Sequence, residues 1–392
     1  MQVAPTRTRS AGLVPRLQEL PRSYRGPAGL LIAYLATFPL YLSPSGLPQI
    51  SSVIAAGLFV VLMARHRRLF VASNDLPVLS ALAHFVLYAW LVSMVWAVLL
   101  TTPAALVPAA YFTYNAALFA AIHHLRWGLG ERLHHIAIVG ILFALGWQTL
   151  WWAQQVRATG FTREVLLFNN PNQLGYYALL CGIILALPAS GVVAARWRVA
   201  GLAASALLVV LSLSSAAMLA FALLLPISVL AHRRNLGVTL AAVALIVVGV
   251  LPNTQDAVTW RLEKSADESV VTHRGYDRLL NHPEQLVFGA GEYGHGLRFE
   301  SELDLELHSS IATLLFSYGV VGFVLFARFV WRLSAGAVGR SWLYLLPIAF
   351  YGLTHQGLRF SMAWIAIALL STSRPRSPTG VPVTSNRLVF EH

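Results

Sequence analysis

The stretch PVLSALAHFVLYAWLVSMVWAVLL, residues 77–100, contains no aspartate, glutamate, lysine or arginine. An α-helix needs about 20 apolar residues to cross the hydrocarbon core of a bilayer, so this stretch is long enough for one span. The run is continuous in apolar residues, whereas the strands of a membrane barrel are shorter and alternate between apolar and polar residues. It therefore predicts a transmembrane helix, and similar runs recur along the chain.

The composition of the whole chain agrees with this prediction. Of 392 residues, 57% are hydrophobic and 11% are charged, and the mean hydropathy is +0.65. A soluble domain of this length carries more charge. We expect an all-α polytopic membrane protein with about twelve transmembrane helices, near 28–43, 47–64, 77–100, 103–122, 135–153, 171–188, 199–213, 215–231, 236–252, 308–327, 342–355 and 358–371. Residues 199–231 fit either two short helices meeting at Ser212 and Ser214, or one long helix and a fragment.

The basic residues predict the orientation of the chain. They cluster between apolar runs and fall on one side of the predicted membrane, as cytoplasmic loops do. We expect a basic cytoplasmic tail at 1–27, a transmembrane domain at 28–372 and a second cytoplasmic tail at 373–392. This placement also explains the net charge of +12 without nucleic acid as a partner. The single cysteine, Cys181, excludes an intramolecular disulfide and a thiolate metal site within the chain.

One long polar loop, residues 253–307, is predicted on the opposite, outer face. It holds eleven of the sixteen acidic residues. The other outer loops are short, apart from 154–170. A chain that keeps one elaborate loop on one face is expected to carry its chemistry there.

His308 ends this loop at the mouth of the next apolar run, in ELHSSIATLLFSYGVVGF, residues 306–323. A neutral imidazole accepts a proton near neutral pH, as a general base must. The competing interpretation is a structural histidine bonded to a loop carbonyl. The following Ser309 is interpreted as a helix cap. Gly319 and Gly322 share a helix face and predict close approach of another helix.

Three arginines of the outer face are candidates for binding an anion. Arg274 and Arg278 are four residues apart and would project from one face if that stretch is helical. Their guanidinium groups can hold a diphosphate with bidentate bonds, or pair with the acids of the loop. Arg163 in the other outer loop can bind an anion, or pair with Glu164 or lipid headgroups.

Two further polar patterns interrupt apolar runs. Asn169–Asn172 precedes a predicted helix with Pro171 in its first turn, which favours a capping role for the asparagines. His355 and Arg359 form a polar pair at membrane depth, which indicates either a functional site or a turn between helices. No metal-ligand pattern, phosphate-binding loop or dinucleotide fingerprint is present in the sequence, so we expect neither a metal nor a cofactor.

Several of these segments together resemble the O-antigen ligase/polymerase superfamily. The residues that carry the resemblance are HS followed by GVVG (308–309 and 319–322), the preceding GAGEYG (289–294), TREVLLFNNPNQLGYY (162–177) and RGYDRLLNHPEQLVFGAGE (274–292). The last segment is similar to the branch of repeat-unit polymerases. The resemblance covers roughly residues 160–325, together with the plan of spans.

The resemblance implies a metal-independent, inverting glycosyltransferase of the GT-C type in a bacterial inner membrane. Its donor would be a glycan on undecaprenyl diphosphate, used at the periplasmic face. His308 would activate the acceptor hydroxyl, and the loop arginine of the family maps to Arg274 or Arg278. The ligase arginine after the central loop is missing, because Ser214–Ala217 stands there; Arg163 is the candidate to supply that charge.

We therefore expect a polymerase of polysaccharide repeat units that transfers the lipid-linked glycan onto a sugar hydroxyl of another lipid-linked unit. Its partners would be both lipid-linked substrates, membrane lipids, a chain-length regulator and a flippase. One alternative is an O-antigen ligase with lipid A–core as the acceptor. A second, from another class, is a transporter or flippase of lipid-linked glycans, and a third is a non-catalytic scaffold of an export complex.

Overall fold

The computed structural model describes residues 20–44, 47–65, 76–159, 163–187, 193–231, 236–245, 274–299, 307–337 and 339–371, with the isolated positions 233, 259 and 263. These residues form α-helices joined by turns and three short 3₁₀ helices, and they contain no strand. The α-helices are α1 (Arg22–Thr37), α2 (Ile50–Arg65), α3 (Leu76–Leu99), α4 (Val107–Leu129), α5 (Glu131–Thr159), α6 (Pro171–Ala186), α7 (Ala195–Ser212), α8 (Ser215–Ala231), α9 (Leu236–Leu245), α10 (Asp277–Asn281), α11 (His295–Arg298), α12 (Ser310–Ser317), α13 (Gly319–Gly336), α14 (Leu345–Thr354) and α15 (Ser361–Leu370).

Five helical segments are long and apolar enough to cross a membrane by length and composition: Pro77–Leu99, Pro103–Leu129, Glu131–Gln155, Ala195–Ser212 and Gly319–Gly336. Together with the shorter apolar helices, they support the prediction of a helical multi-pass membrane protein. The expected number of twelve spans stays a prediction, because several of the other helices are too short to cross a bilayer alone. Residues 1–19 of the predicted tail 1–27, the predicted tail 373–392, and residues 253–258, 260–262, 264–273 and 300–306 of the predicted loop lie outside the described residues.

Helix boundaries differ from the predicted spans in two informative places. The predicted span 308–327 is broken at Tyr318, so that α12 ends at Ser317 and α13 begins at Gly319. The first helix begins at Arg22, inside the predicted tail 1–27. Hydrophobicity alone cannot locate such a break, because the apolar run continues through it.

Residues 199–231 form two helices, as the first of the two alternatives predicts. Leu213 separates them in the left-handed conformation, with φ of 46°. The Ser212 hydroxyl donates to the Val209 carbonyl at 2.6 Å and accepts from the Ser214 amide at 3.2 Å. A Cβ on Gly175 would lie 2.6 Å from the Ser212 Oγ, so α6 packs directly against the junction.

Helices α6 and α15 lie at the centre of the fold. Every residue of α6 from Leu174 to Ala186 is buried, as is every residue of α15 from Met362 to Leu370, and the two helices contact each other. Apolar side chains surround each of them, as expected for helices that are hydrophobic on all sides. Cys181 on α6 is buried with them.

The opposite pattern marks α3 and α13, which pack against each other. Leu87, Leu91 and Val98 on α3, and Val324 and Trp331 on α13, are more than half exposed. Apolar exposure of this extent along two neighbouring helices fits contact with lipid chains.

Candidate functional site

The GAGEYG loop contacts the break between α12 and α13 through two glycines, Gly289 and Gly319. A Cβ on Gly319 would overlap the Val287 carbonyl oxygen, and one on Gly289 would overlap the Ser317 carbonyl oxygen. Both glycines have positive φ, 65° and 97°, which other residues adopt at a cost. The GAGEYG loop and the GVVG segment are therefore packed backbone to backbone.

The break between α12 and α13 is also capped by this loop. The amides of Ala290 and Gly291 donate to the carbonyls of Phe316 and Ser317 at 2.8 and 2.9 Å. The last carbonyl groups of a helix lack partners within the helix, so this contact satisfies two of them. The predicted helix–helix approach therefore holds for Gly322, whose added Cβ would be 3.3 Å from the Tyr88 ring of α3, but not for Gly319.

Helix α3 holds the same loop from the other side. The Tyr88 hydroxyl donates to the Phe288 carbonyl at 2.9 Å, and the Trp96 indole to the Gly289 carbonyl at 3.0 Å. The Arg298 guanidinium lies over the Trp96 ring, 3.9 Å from its centroid. Burial lowers the pKa of Arg298 to about 10. The loop is thus anchored to a long helix instead of lying loose on the surface.

The two serines after His308 attach a second segment. Ser309 caps α12 by accepting from the Ala312 amide at 3.2 Å, as predicted. Ser310 donates to the His355 carbonyl at 3.0 Å and accepts from the Gly357 amide at 2.8 Å. The turn between α14 and α15 is therefore fixed to the start of α12, and His308, His355 and Arg359 come into one wall.

That wall encloses a cavity of about 630 Å³, which we call the polar cavity. Five segments line it: Phe38 and Tyr41 after α1, the 47–52 region, α4, the start of α6, and the wall formed by His308 and the α14–α15 turn. Among the described residues, its lining consists mainly of phenols, carboxamides and hydroxyls. Arg359 is the single lining residue in this part of the chain with a permanent charge.

His308 and His355 both line the polar cavity and are partly exposed. The His355 Nδ1 is 3.0 Å from the Thr354 hydroxyl, and its ring stacks on Tyr351 with the centroids 4.7 Å apart. His308 therefore lies at the open space that the general-base interpretation requires, whereas a purely structural histidine is more often enclosed.

A buried carboxylate stands behind Arg359. The side chain of Glu292 is 1% exposed and that of Arg359 is 33% exposed. The Nε and Nη2 of Arg359 both donate to the Glu292 Oε2, the former at 3.0 Å, and the Tyr318 hydroxyl donates to the Glu292 Oε1 at 2.8 Å. The GAGEYG loop, the helix break and the α14–α15 turn thus meet in one ion pair.

The predicted arginines are placed differently from one another. Arg163 donates to the Asn172 Oδ1 at 3.3 Å and to the Ser212 carbonyl at 3.2 Å, so it contacts a residue of the cavity lining. Arg274 lies within electrostatic range of Tyr351, another lining residue. Both arginines therefore act on residues of the cavity lining without belonging to it.

Arg278 does not share a helix face with Arg274, since α10 begins only at Asp277. Its side chain is fully buried, within electrostatic range of His295. Nearby is a small second apolar core formed by Ala290, Phe299, Leu307, Ala312 and Phe316. Arg278 is absent from the cavity lining. The structure therefore does not place Arg274 and Arg278 where both could bind one anion in the cavity.

The asparagine segment behaves as its capping pattern predicts. Asn170 caps α6 by accepting from the Gln173 amide at 2.9 Å, and Pro171 occupies the first turn. Asn170, Asn172 and Gln173 also line the polar cavity. Capping and lining are compatible here, because a helix that begins at a cavity wall presents its first side chains to the cavity.

Sequence reasoning missed Glu292 and Tyr318. Glu292 is one of eleven acids in the loop, and only its position inside GAGEYG distinguishes it. Tyr318 lies in an apolar run, where nothing marks it as a partner of a carboxylate. His355 and Arg359 lie in a turn between helices, as one of their two interpretations predicts, and they line the cavity; a functional role for them stays a prediction.

An apolar groove of about 380 Å³ adjoins the polar cavity. It is lined mainly by side chains of α12, α13 and α14, among them Leu314, Phe323, Phe326 and Ile348. Tyr176 lines both the groove and the polar cavity. Tyr176 is therefore the residue at which the two spaces come closest among their described linings.

No protein-family model matches the sequence, and a search of characterised proteins finds no significant match.

Proposed function

We propose that the protein is a membrane glycosyltransferase that polymerises polysaccharide repeat units. It moves a growing glycan from undecaprenyl diphosphate to a sugar hydroxyl of another lipid-linked unit, at the periplasmic face of a bacterial inner membrane. The support consists of the sequence resemblance and of a cavity whose lining suits such substrates.

One observation carries the proposal: separate segments of the resemblance meet at one polar cavity. Asn172 comes from the NPN segment and His308 from the HS segment, and both line the cavity. Glu292 of the GAGEYG loop is bonded to Arg359 in its wall. Asn172 and His308 are more than a hundred residues apart in the sequence, and their convergence at one cavity is what supports the proposal.

The chemistry of the transfer assigns roles to these groups. The acceptor hydroxyl attacks the anomeric carbon of the donor and gives its proton to the imidazole of His308. The bond from that carbon to the phosphate oxygen breaks, and its electron pair leaves with the diphosphate. Attack opposite the leaving group inverts the anomeric configuration. Arg163 and Arg274, which act on the lining residues Asn172 and Tyr351, help to stabilise the charge that develops on the diphosphate.

The rest of the polar cavity suits an uncharged, hydroxyl-rich ligand. Its lining includes Gln49, Tyr111, Tyr114, Asn172 and Gln173. Carboxamides and phenols both donate and accept hydrogen bonds, and phenol rings also pack on the apolar faces of sugar rings. The groove beside Tyr176 suits the first isoprene units of the donor lipid, because its lining is almost wholly apolar.

The proposal is tested by product analysis with the purified protein in lipid nanodiscs. Lipid-linked repeat units should be converted into longer lipid-linked chains, resolved on a gel, and activity should survive an excess of chelator. His308→Ala, at equal folded amount, should leave single repeat units. Wild-type chain lengths from His308→Ala would exclude the assigned base.

The same assay separates the alternatives. A ligase would extend nothing, but would join preformed lipid-linked chains to lipid A–core when that acceptor is added. A flippase would move fluorescent lipid-linked units between leaflets without forming any glycosidic bond. Either result in place of chain growth would refute the polymerase proposal.

A further inference from the structure

We propose that Arg359, oriented by the buried Glu292, is the residue that binds the phosphate-bearing end of the substrate inside the polar cavity. This inference rests on the proposed function for the identity of the substrate. It concerns two residues that the resemblance does not assign, and it differs from the sequence prediction, which gave this task to Arg274, Arg278 and Arg163.

The charges of the cavity favour an anion at Arg359. Of the described residues that line the cavity, none is an aspartate, glutamate or lysine, and Arg359 is the one arginine. Glu292 offsets this charge from behind, but its side chain is 1% exposed and does not reach the cavity. Among the described lining residues, the guanidinium of Arg359 is therefore the charged group that a ligand meets, in the wall that also holds His308.

Burial divides the ion pair into a supporting group and an exposed group. Glu292, at 1% exposure, cannot touch a ligand in the cavity, whereas Arg359 is one-third exposed and lines it. A buried carboxylate is costly unless it is paired and hydrogen-bonded, and Glu292 has Arg359 on one oxygen and Tyr318 on the other. The pair therefore holds the guanidinium in one orientation from behind.

Fixed orientation is what a phosphate-binding arginine needs. A guanidinium offers planar, paired donors that match phosphate oxygens, and binding is stronger when the side chain loses little freedom on contact. The Nε and Nη2 of Arg359 are turned toward Glu292, which fixes the plane of the group. Glu292 is thus a positioning residue, and Arg359 is the contact residue.

The alternatives among the predicted arginines are less suited to contact inside the cavity. Arg278 is fully buried outside the lining. Arg163 donates to the lining residue Asn172, and Arg274 lies within electrostatic range of the lining residue Tyr351, but neither arginine is part of the lining. Both fit a supporting electrostatic role better than direct contact beside His308.

The test measures the binding of farnesyl diphosphate, a short soluble polyprenyl diphosphate, to purified full-length protein in detergent by thermal shift and by titration. Farnesol, which has the same chain and no phosphate, is the matched ligand. Wild-type protein should bind the diphosphate at least about tenfold more tightly than farnesol, and Arg359→Gln should lose that preference. Arg332→Gln, which removes an exposed arginine of α13, should bind as wild type does.

Glu292→Gln separates positioning from folding. It should keep the ligand-free melting temperature close to that of wild type and weaken diphosphate binding by about three- to tenfold, with farnesol binding unchanged. Arg359→Lys keeps the charge without the planar fork and should restore only part of the affinity. If Glu292→Gln fails to fold, the Arg359→Lys and Arg359→Gln pair still decides the question.

The results distinguish this inference from the proposed function. The inference falls if Arg359→Gln binds farnesyl diphosphate within about twofold of wild type, or if wild type shows no preference for the diphosphate. The proposed function falls if wild type forms no polymer from lipid-linked units. Loss of diphosphate binding in Arg359→Gln without any polymerase activity in wild type would leave an anion site in a protein of another function.

Discussion

Histidines and arginines gather at both ends of the helix bundle, but they are used differently at each end. At the polar cavity, His308, His355 and Arg359 line open space. At the other end, which we call the histidine end and which comprises His123, His134, Arg126 and Arg198, the same residue types bond to helix termini. Twelve residues of α6 separate Asn172 in the cavity from Ile184 at the histidine end, about 18 Å along the axis.

The bonds at the histidine end explain its composition. His134 is 3.0 Å from the Ile184 carbonyl, and Arg198 donates to the Leu185 carbonyl at 3.0 Å, both at the end of α6. Arg126 donates to the Leu369 carbonyl at the end of α15, and His123 contacts the Ser371 hydroxyl at 2.8 Å. The last carbonyls of a helix need donors, and cations near them are favoured by the helix dipole.

The density of histidine in the sequence therefore does not predict which histidines line a cavity. The segments around His123 and His134 are the richer in histidine, yet they cap the two central helices. The isolated His308 lines the cavity. What separates the two is whether the side chain faces space that a ligand can fill.

The largest expected effect tests this contrast with two matched variants. His308→Gln should lower polymerase activity per folded molecule by about 100- to 10,000-fold, because a general base is removed. His123→Gln should keep activity within about twofold and lower the unfolding free energy by about 1–2 kcal/mol, because a buried hydrogen bond is disturbed. Initial rates, normalised to the monodisperse fraction on gel filtration, measure both.

Equal losses of activity in the two variants would contradict the contrast. They would mean either that His123 takes part in the reaction, or that the loss in His308→Gln reflects folding. The melting temperatures of the two proteins distinguish these cases, since His308 lies partly exposed at a cavity and its replacement should leave the fold intact.

A second effect concerns what shapes the wall of the polar cavity. Gly319→Ala should lower the unfolding free energy by about 2–4 kcal/mol, because alanine is strained at φ of 65° and its Cβ would meet the Val287 carbonyl. Gly146→Ala, in the exposed part of α5 with open space around it, is the control and should be neutral or slightly stabilising. Chemical denaturation in detergent followed by tryptophan fluorescence gives both values.

The same variant also compares the two ends of the bundle. If Gly319→Ala disturbs the loop that carries Glu292, activity should fall together with stability, while the contacts of the histidine end stay intact. An unchanged denaturation midpoint would show that the backbone contact between Gly289 and Gly319 is not what fixes the wall.

The sequence predicts those features of the site that depend on neighbouring residues. Ser309 and Asn170 cap helices because each precedes a suitable first turn, and both caps are found. The helical fold and its membrane character follow from the apolar runs. The junction at Ser212–Ser214 was one of two open alternatives, because a serine pair inside an apolar run permits either.

Features that depend on distant residues were not predictable in this way. The break at Tyr318 requires the loop at 289–291 to supply amides to the end of α12, about 30 residues away in sequence. Arg274 and Arg278 do not share a helix face, because α10 begins only at Asp277, after Arg274. The ion pair of Glu292 could not be predicted from the loop sequence, because its partner Arg359 lies 67 residues further along.

The smallest expected effect concerns His295, which lies at the cavity end but resembles the histidine end. It is 2% exposed, bonds to the Gly291 carbonyl and packs edge-on against Phe316, 5.2 Å between centroids. Burial lowers the pKa of His295 to about 3. If burial decides how a histidine behaves, His295 should act as a structural group despite its location.

Stability should therefore depend on pH in a specific direction. The unfolded chain protonates His295 near pH 6.5, whereas the folded protein keeps it neutral down to about pH 3, so acid favours the unfolded state. The unfolding free energy should fall as the pH drops through this window. At pH 5.5 it should be lower by about 1.5 kcal/mol than at a pH well above 6.5. His295→Gln should remove this part of the slope, and His84→Gln, on an exposed side chain of α3, should retain it. If His295→Gln keeps the wild-type dependence of the unfolding free energy on pH, another group is responsible for the sensitivity to acid. The interpretation of His295 as a buried structural group would then be wrong.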